Sequence, residues 1–201
     1  LPREKGRPPK LVIFDMGGVV DSHPAVVPQI AQSLRISEQK FFELSGEGNL
    51  TALLTGRIST KEFWRQFSDR YGSIITEDLW ATYFDPQLDQ RMVELASTLK
   101  PLVRVVVGTN TLDPHYTAHM ERGNYTVFDA VYASNKIGLA KPDPAFYTYI
   151  LEAEHCTPGE AVFIDDSEEN VLPARALGLK AIHFTDPEAL KSRLRLFFPS
   201  L

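Results

Sequence analysis

The chain has 201 residues, 43% hydrophobic and 23% charged, with a formal net charge of −5 and one cysteine, Cys156. This composition suits one globular domain, or one carrying an insertion, and excludes an internal disulfide framework. Acidic and basic residues are interspersed, so no basic stripe points to nucleic acid and no polybasic helix to a membrane surface.

No apolar run approaches the ~20 residues of a bilayer span, and a lone cysteine fits a reducing compartment. A cytoplasmic protein with a small-molecule ligand is the expectation; nothing in the sequence specifies an oligomeric state. In chain order, "LPREKGRPPK" is basic and Pro-rich without the apolar core of a secretory signal, and it lacks an initial Met. It reads as a trimmed or tagged end.

"KLVIFD" (10–15) is an apolar run closing on an acid, a buried strand by pattern. From 21 to 86 no strand is evident. That stretch holds helical segments instead: "PAVVPQIAQSL", "EQKFFELS" and "TKEFWRQFSDRYG". Ser59 and Glu62 form a capping-box pattern, and Phe63, Trp64 and Phe67 share one helical face suited to a local core. An all-helical block here is longer than a β-α-β crossover needs. It predicts a small cap domain, residues 21–86, inserted into a core of residues 1–20 and 87–201.

Beyond it, "VRVVVGT" (103–109), "FDAVYAS" (128–134), "AVFIDD" (161–166) and "KAIHFT" (180–185) read as strands. Near-continuous apolar runs suggest strands covered on both faces. Asp113-Pro114, Asp143-Pro144 and Asp186-Pro187 each offer an Asp N-cap with Pro at the first helical position, and Ser167 can cap "EENVLPARAL" before Gly178 ends it. Five strands alternating with helices predict an α/β fold: a doubly wound, parallel, Rossmann-like sheet.

In such a sheet ligands bind beyond the carboxyl ends of the strands. There the sequence places Asp15 with Gly17 and Gly18, Thr109 with Asn110, and Asp165 with Asp166; Lys141 lies on "GLAKPDP". Carboxylates, a hydroxyl and a lysine are what phosphoryl transfer through an aspartyl-phosphate requires. Asp15 would be the nucleophile. Asp15, Asp166 and the Gly17 carbonyl would hold Mg²⁺. Thr109, Asn110, Gly18 and Lys141 would face the phosphoryl group, with Asp165 behind them orienting Lys141 or water.

The ordered set "FDMGGVV", "VVVGTN", "GLAKPDPAFY" and "VFIDDSEENV" resembles the four motifs of the haloacid dehalogenase (HAD) superfamily, from about Lys10 to Thr185. The helical insertion is similar to its C1-type cap. The resemblance implies a Mg²⁺-dependent phosphatase with Asp15 as nucleophile, Thr109 as phosphate-binding hydroxyl, Lys141 as charge stabiliser and Asp166 as metal ligand. Asn170 falls where related members carry a supporting Asn. The "DxGG" form is most similar to a sugar-phosphate phosphatase and epoxide hydrolase N-terminal branch, so the implied partner is a small phosphorylated metabolite.

One position departs from the pattern. Phosphatases of this superfamily usually carry an acid–base Asp two residues after the nucleophile, and here that residue is Gly17. Such a group is typically worth about 10² to 10⁴ in rate. Asp21 or His23 folding back, a cap residue, or a good leaving group would compensate. Two alternatives follow from Gly17: a metal-free dehalogenase-type hydrolase, and a member that binds metal and phosphate with little turnover. His115 and His119, four apart, read as an exposed helix face rather than a metal site.

Overall fold

The computed structural model describes residues 8–22 and 25–201. Most of the basic start, through Arg7, and His23 lie outside the described residues. The strands are β1 (Leu11–Phe14), β2 (Asp21–Ser22), β3 (Gln87–Leu88), β4 (Arg104–Thr109), β5 (Ala130–Ala133), β6 (Ala161–Asp165) and β7 (Lys180–His183). Five of them form one wholly parallel sheet in the order β5-β4-β1-β6-β7. The chain reverses its direction of winding at β1, which puts a crevice at that strand's carboxyl end.

Alternation along the central strands divides the interior in two. Val12, Phe14, Val105, Val107, Val162 and Ile164 face one apolar core. Leu11, Ile13, Val106, Ala161 and Phe163 face the other. Helices α6 (Gln90–Leu99) and α11 (Pro187–Leu194) cover the first face, and α9 (Pro144–Ala153) and α10 (Glu168–Ala176) the second, with α7 (Asp113–Glu121) and α8 (Ser134–Ile137) on the intervening connections. Both faces are buried, which is why these strands read as apolar runs.

Between β2 and β3 stand α1 (Val26–Ser33), α2 (Glu38–Ser45), α3 (Asn49–Leu54), α4 (Thr60–Tyr71) and α5 (Leu79–Thr82). They close over a third core built on Phe41, Phe63, Trp64, Phe67 and Trp80. Phe63 and Phe67 are fully buried, and the Trp64 ring lies 5.1 Å from Phe63 and 5.4 Å from Phe67. Each such side chain contributes about 1.5–3 kcal/mol, so the aromatic face of α4 organises this block.

Local differences from expectation have physical reasons. A short antiparallel ladder joins Asp21 to Leu88 and Ser22 to Gln87 at the base of the helical block. Two-residue strands carry too little alternation to be legible. The Ser59 hydroxyl accepts from the Glu62 amide at 3.1 Å, but Glu62 turns outward to Arg65 and Gln66, so only half of the capping box forms. Asp143 and Asp186 cap as expected. Asp113 does not: Leu112 is the N-cap, and the Asp113 carboxylate binds Asn135 and Lys136 instead. Ser167 occupies its N-cap position without a side-chain bond.

Candidate active site

Register assembles the site. Phe14 pairs with Val107 on one side and Ile164 on the other, so Asp15, Gly108 and Asp165 follow at one level and Thr109 and Asp166 one residue beyond. Lys141 reaches them from the loop between α8 and α9, where the Lys141–Pro142 peptide is cis. Asn110 holds this loop at both ends of one residue. Its amide donates to the Lys141 carbonyl and its carbonyl oxygen accepts from the Lys141 amide, each at 2.8 Å.

Buried Lys141 is the hub: its Nζ lies 2.8 Å from Asp15 Oδ1 and 2.7 Å from Asp165 Oδ2. The Met16 amide also donates to Asp15 Oδ1, at 2.7 Å. Asp15 Oδ2 has no hydrogen-bond partner among the described residues. Burial pushes the Asp15 carboxyl up to about 7, with Lys141 pulling down and Asp165 pushing further up. Burial disfavours the Lys141 ammonium, but Asp15 and Asp165 together outweigh it and raise its pKa. A cation between two carboxylates offsets part of the repulsion an anionic phosphate would meet.

Asp165 is fully buried and fully engaged. Besides Lys141 it accepts from the Ser167 amide at 2.9 Å and from Asn170 Nδ2 at 3.0 and 3.2 Å. Asn170 is fixed in turn by Tyr147, whose hydroxyl donates to the Asn170 carbonyl at 2.7 Å. Asp165 therefore aims Lys141, and Asn170 holds Asp165 in place.

Asp166 is placed differently. Its carboxylate leans over Gly18, so closely that a Cβ there would lie 2.2 Å from Oδ2; Gly18 also has φ +75°. Burial and the neighbouring Asp165 raise its pKa. Asp15, Asp165 and Asp166 offer carboxylate oxygens within 4.8 Å of one another. With Asp165 taken by Lys141 and Asn170, Asp15 and Asp166 are the candidate carboxylates that remain. The Gly17 carbonyl accepts no backbone hydrogen bond among the described residues. Oxygen-only donors, two anionic, fit a hard divalent cation such as Mg²⁺.

Thr109 ends β4 with its hydroxyl buried. Its contact to the Asn110 carbonyl, at 3.5 Å, is too long to hold the proton firmly. Sequence reasoning missed Asn110's grip on the Lys141 main chain, since pairing across a loop leaves no local signal. It also missed a buried cluster beside the glycine turn. His119 Nε2 lies 2.9 Å from Asp21 Oδ2, and Asn124 Nδ2 lies 3.0 Å from His119 Nδ1. Asp21 turns inward, toward His119. His115 stacks on Phe84 at 3.8 Å, so neither histidine forms an exposed face.

Comparison with known proteins agrees with this frame. Residues 9–178 match the family model of the haloacid dehalogenase-like hydrolases. The chain is 29% identical over 192 residues to the sesquiterpene phosphatase astK of Aspergillus oryzae, covering 92% of this chain and 95% of that one. It is 25% identical over 186 residues to a D-ribitol-5-phosphate phosphatase of Bacteroides thetaiotaomicron, covering 85% and 89%. Its fold matches a HAD family enzyme of the same bacterium, solved in complex with magnesium and inorganic phosphate, at a TM-score of 0.74 and 22% identity over 90% of this chain and 98% of that one. The parallel sheet, the motif residues at its strand ends and the family match together identify the chain as a member of the haloacid dehalogenase-like hydrolases.

Proposed function

We propose that this hydrolase is a Mg²⁺-dependent phosphatase of small phosphorylated metabolites that works through an aspartyl-phosphate on Asp15. The observation that carries the reading is the buried Asp15–Lys141–Asp165 bridge with Asp166 set across Gly18. The phosphatases among the relatives, acting by their names on a sesquiterpene and on ribitol 5-phosphate, support it. Asp15, Asp166 and the Gly17 carbonyl would hold the cation. Bound there, Mg²⁺ would neutralise phosphoryl oxygens that otherwise repel an anionic nucleophile.

Asp15 Oδ2 attacks phosphorus; the bond to the ester oxygen breaks, the electron pair stays on that oxygen, and solvent water protonates it to the alcohol. Water then attacks the aspartyl-phosphate, releasing inorganic phosphate and restoring the carboxylate. Lys141 balances charge on the transferring group, and the Thr109 hydroxyl donates to a phosphoryl oxygen. Residues 21–86 act as the cap that excludes water and selects the substrate. Gly17 has no side chain to protonate the departing oxygen, so leaving groups that need little protonation, such as the anomeric oxygen of a sugar 1-phosphate, are favoured. The lone cysteine suits a cytoplasmic setting.

An activated aryl phosphate and a panel of sugar phosphates, assayed with Mg²⁺ and with chelator, test the proposal. Phosphate release should require Mg²⁺ and vanish in Asp15→Asn. Release that survives in Asp15→Asn refutes it. Halide release without Mg²⁺ would establish the dehalogenase alternative, and Mg²⁺ binding without turnover the non-catalytic one.

A further inference from the structure

A cavity of about 430 Å³ lies between the helical block and the loop that carries Lys141. Thr51, Leu54, Thr55 and Arg57 line it from one side, and Leu139 and Lys141 from the other. Lys141 thus belongs both to this cavity's wall and to the nucleophile, through its 2.8 Å contact with Asp15. Through Lys141 the cavity is one residue removed from Asp15, where a phosphoryl group would sit.

Arg57 is built into that wall. Gly56, at φ +67°, lets the loop press against the core so closely that a Cβ would lie 2.3 Å from the Asn135 carbonyl. The Arg57 amide donates to the Ala52 carbonyl at 2.8 Å. Its Nε donates to Thr55 Oγ1 at 3.0 Å, and that hydroxyl donates to the Thr51 carbonyl at 2.7 Å. Stem and Nε are therefore fixed. Among the described residues the guanidinium makes no ion pair and no further hydrogen bond. The acid on the opposite wall, Asp143, accepts from the Ala145 amide at 2.9 Å as the cap of α9. The outcome is a positioned fork of N–H donors on the cavity wall, which suits a planar or tetrahedral anion.

We infer that Arg57 is a specificity-determining residue, and that the preferred substrates are phosphate esters whose leaving group carries a second anionic group, a carboxylate or a phosphate, bound by Arg57. This rests on the phosphatase reading for its reaction and adds the class of leaving group.

The test uses matched compounds: 3-hydroxypropyl phosphate, its carboxylate counterpart 2-carboxyethyl phosphate, and propane-1,3-diyl bisphosphate. In the intact chain with Mg²⁺, kcat/KM should favour an anionic member over the neutral one by about 10- to 100-fold, the range of a hydrogen bond to a charged group. Whether carboxylate or bisphosphate gains more identifies the second anion. Arg57→Met should collapse the preference to about threefold or less, and Arg57→Lys should keep part of it. A loss of folding lowers all three rates together and leaves the ratio intact, so the ratio is the readout. No preference in the native chain, or a preference that survives Arg57→Met, overturns the inference.

Calorimetric binding to Asp15→Asn, with and without Arg57→Met, separates the two claims. Arg57-dependent binding of the anionic compounds without turnover in the native chain would uphold the anion site while the phosphatase reading fails. Turnover without the preference would do the reverse.

Discussion

Replacing Gly18 by Ala tests the link between one glycine and the cation site. Two effects are built into the position. The residue sits at φ +75°, where a side chain costs about 1–2 kcal/mol. The new Cβ would also lie 2.2 Å from Asp166 Oδ2 and 2.8 Å from Asp166 Cγ, so the carboxylate must retreat by roughly an ångström to reach ordinary contact. An exposed Asp turns aside at little cost to the fold, but turning aside would remove it from the proposed cation site. Gly48→Ala is the control. It has φ +73° and nothing within 4 Å of the added Cβ, so it carries the backbone strain alone. Thermal melts should show both variants losing about 2–8 °C. Titration of activity with Mg²⁺ should separate them, the half-saturating concentration rising on the order of 10- to 100-fold in Gly18→Ala only. An unchanged Mg²⁺ response in Gly18→Ala, or an equal shift in Gly48→Ala, would refute Asp166 as a ligand.

Other consequences follow from the same contacts. Lys141→Met strands two buried carboxylates; it should abolish turnover and lower stability by about 3–5 kcal/mol in urea denaturation, and a variant as stable as the native chain contradicts the bridge. Asn170→Ala removes both side-chain contacts to Asp165 and should cost about 1–3 kcal/mol with slower turnover, while stopped catalysis at unchanged stability would mean Asn170 touches substrate. Attack needs Asp15 ionised, and burial holds it up to about 7. Activity at limiting Mg²⁺ should therefore rise with pH through about 7, and saturating Mg²⁺ should move that rise to lower pH. A rise that ignores Mg²⁺ is inconsistent with Asp15 as a metal contact. In the metal-free protein the folded chain keeps this proton between the ordinary 3.8 and about 7, whereas the unfolded chain releases it. Its contribution to stability accordingly declines as pH rises across that window, and Asp15→Asn should remove the decline.

The sheet was legible because burial on both faces leaves an apolar run with a carboxyl-terminal acid, as in "KLVIFD" and "AVFIDD". The clustering of Asp15, Lys141, Asp165 and Asp166 was legible because strand ends in a parallel sheet meet at one edge. What escaped depends on contacts distant in sequence. Asn110, expected to face substrate, uses its amide on the Lys141 main chain 31 residues away. Asp113 looked like an N-cap from its neighbour Pro114, yet Lys136 and Asn135 offered its carboxylate stronger donors. His119 reads as a surface residue by helical spacing alone, and only the packing of Asp21 at the glycine turn shows why it is buried. The cavity beside Arg57 joins the helical block to the Lys141 loop, a pairing distant in sequence.

The central claim is a covalent phosphoryl group on Asp15, and the most direct measurement is to trap it. With Gly17 lacking a base for the hydrolytic water, dephosphorylation should be slow enough for the intermediate to accumulate. The chain would be mixed with an activated aryl phosphate and Mg²⁺, quenched in acid, and its peptides weighed by mass spectrometry. The expected result is one phosphoryl group on the peptide containing Asp15, lost with chelator and in Asp15→Asn. Phosphate release with no such adduct, or an adduct that persists in Asp15→Asn, would contradict it.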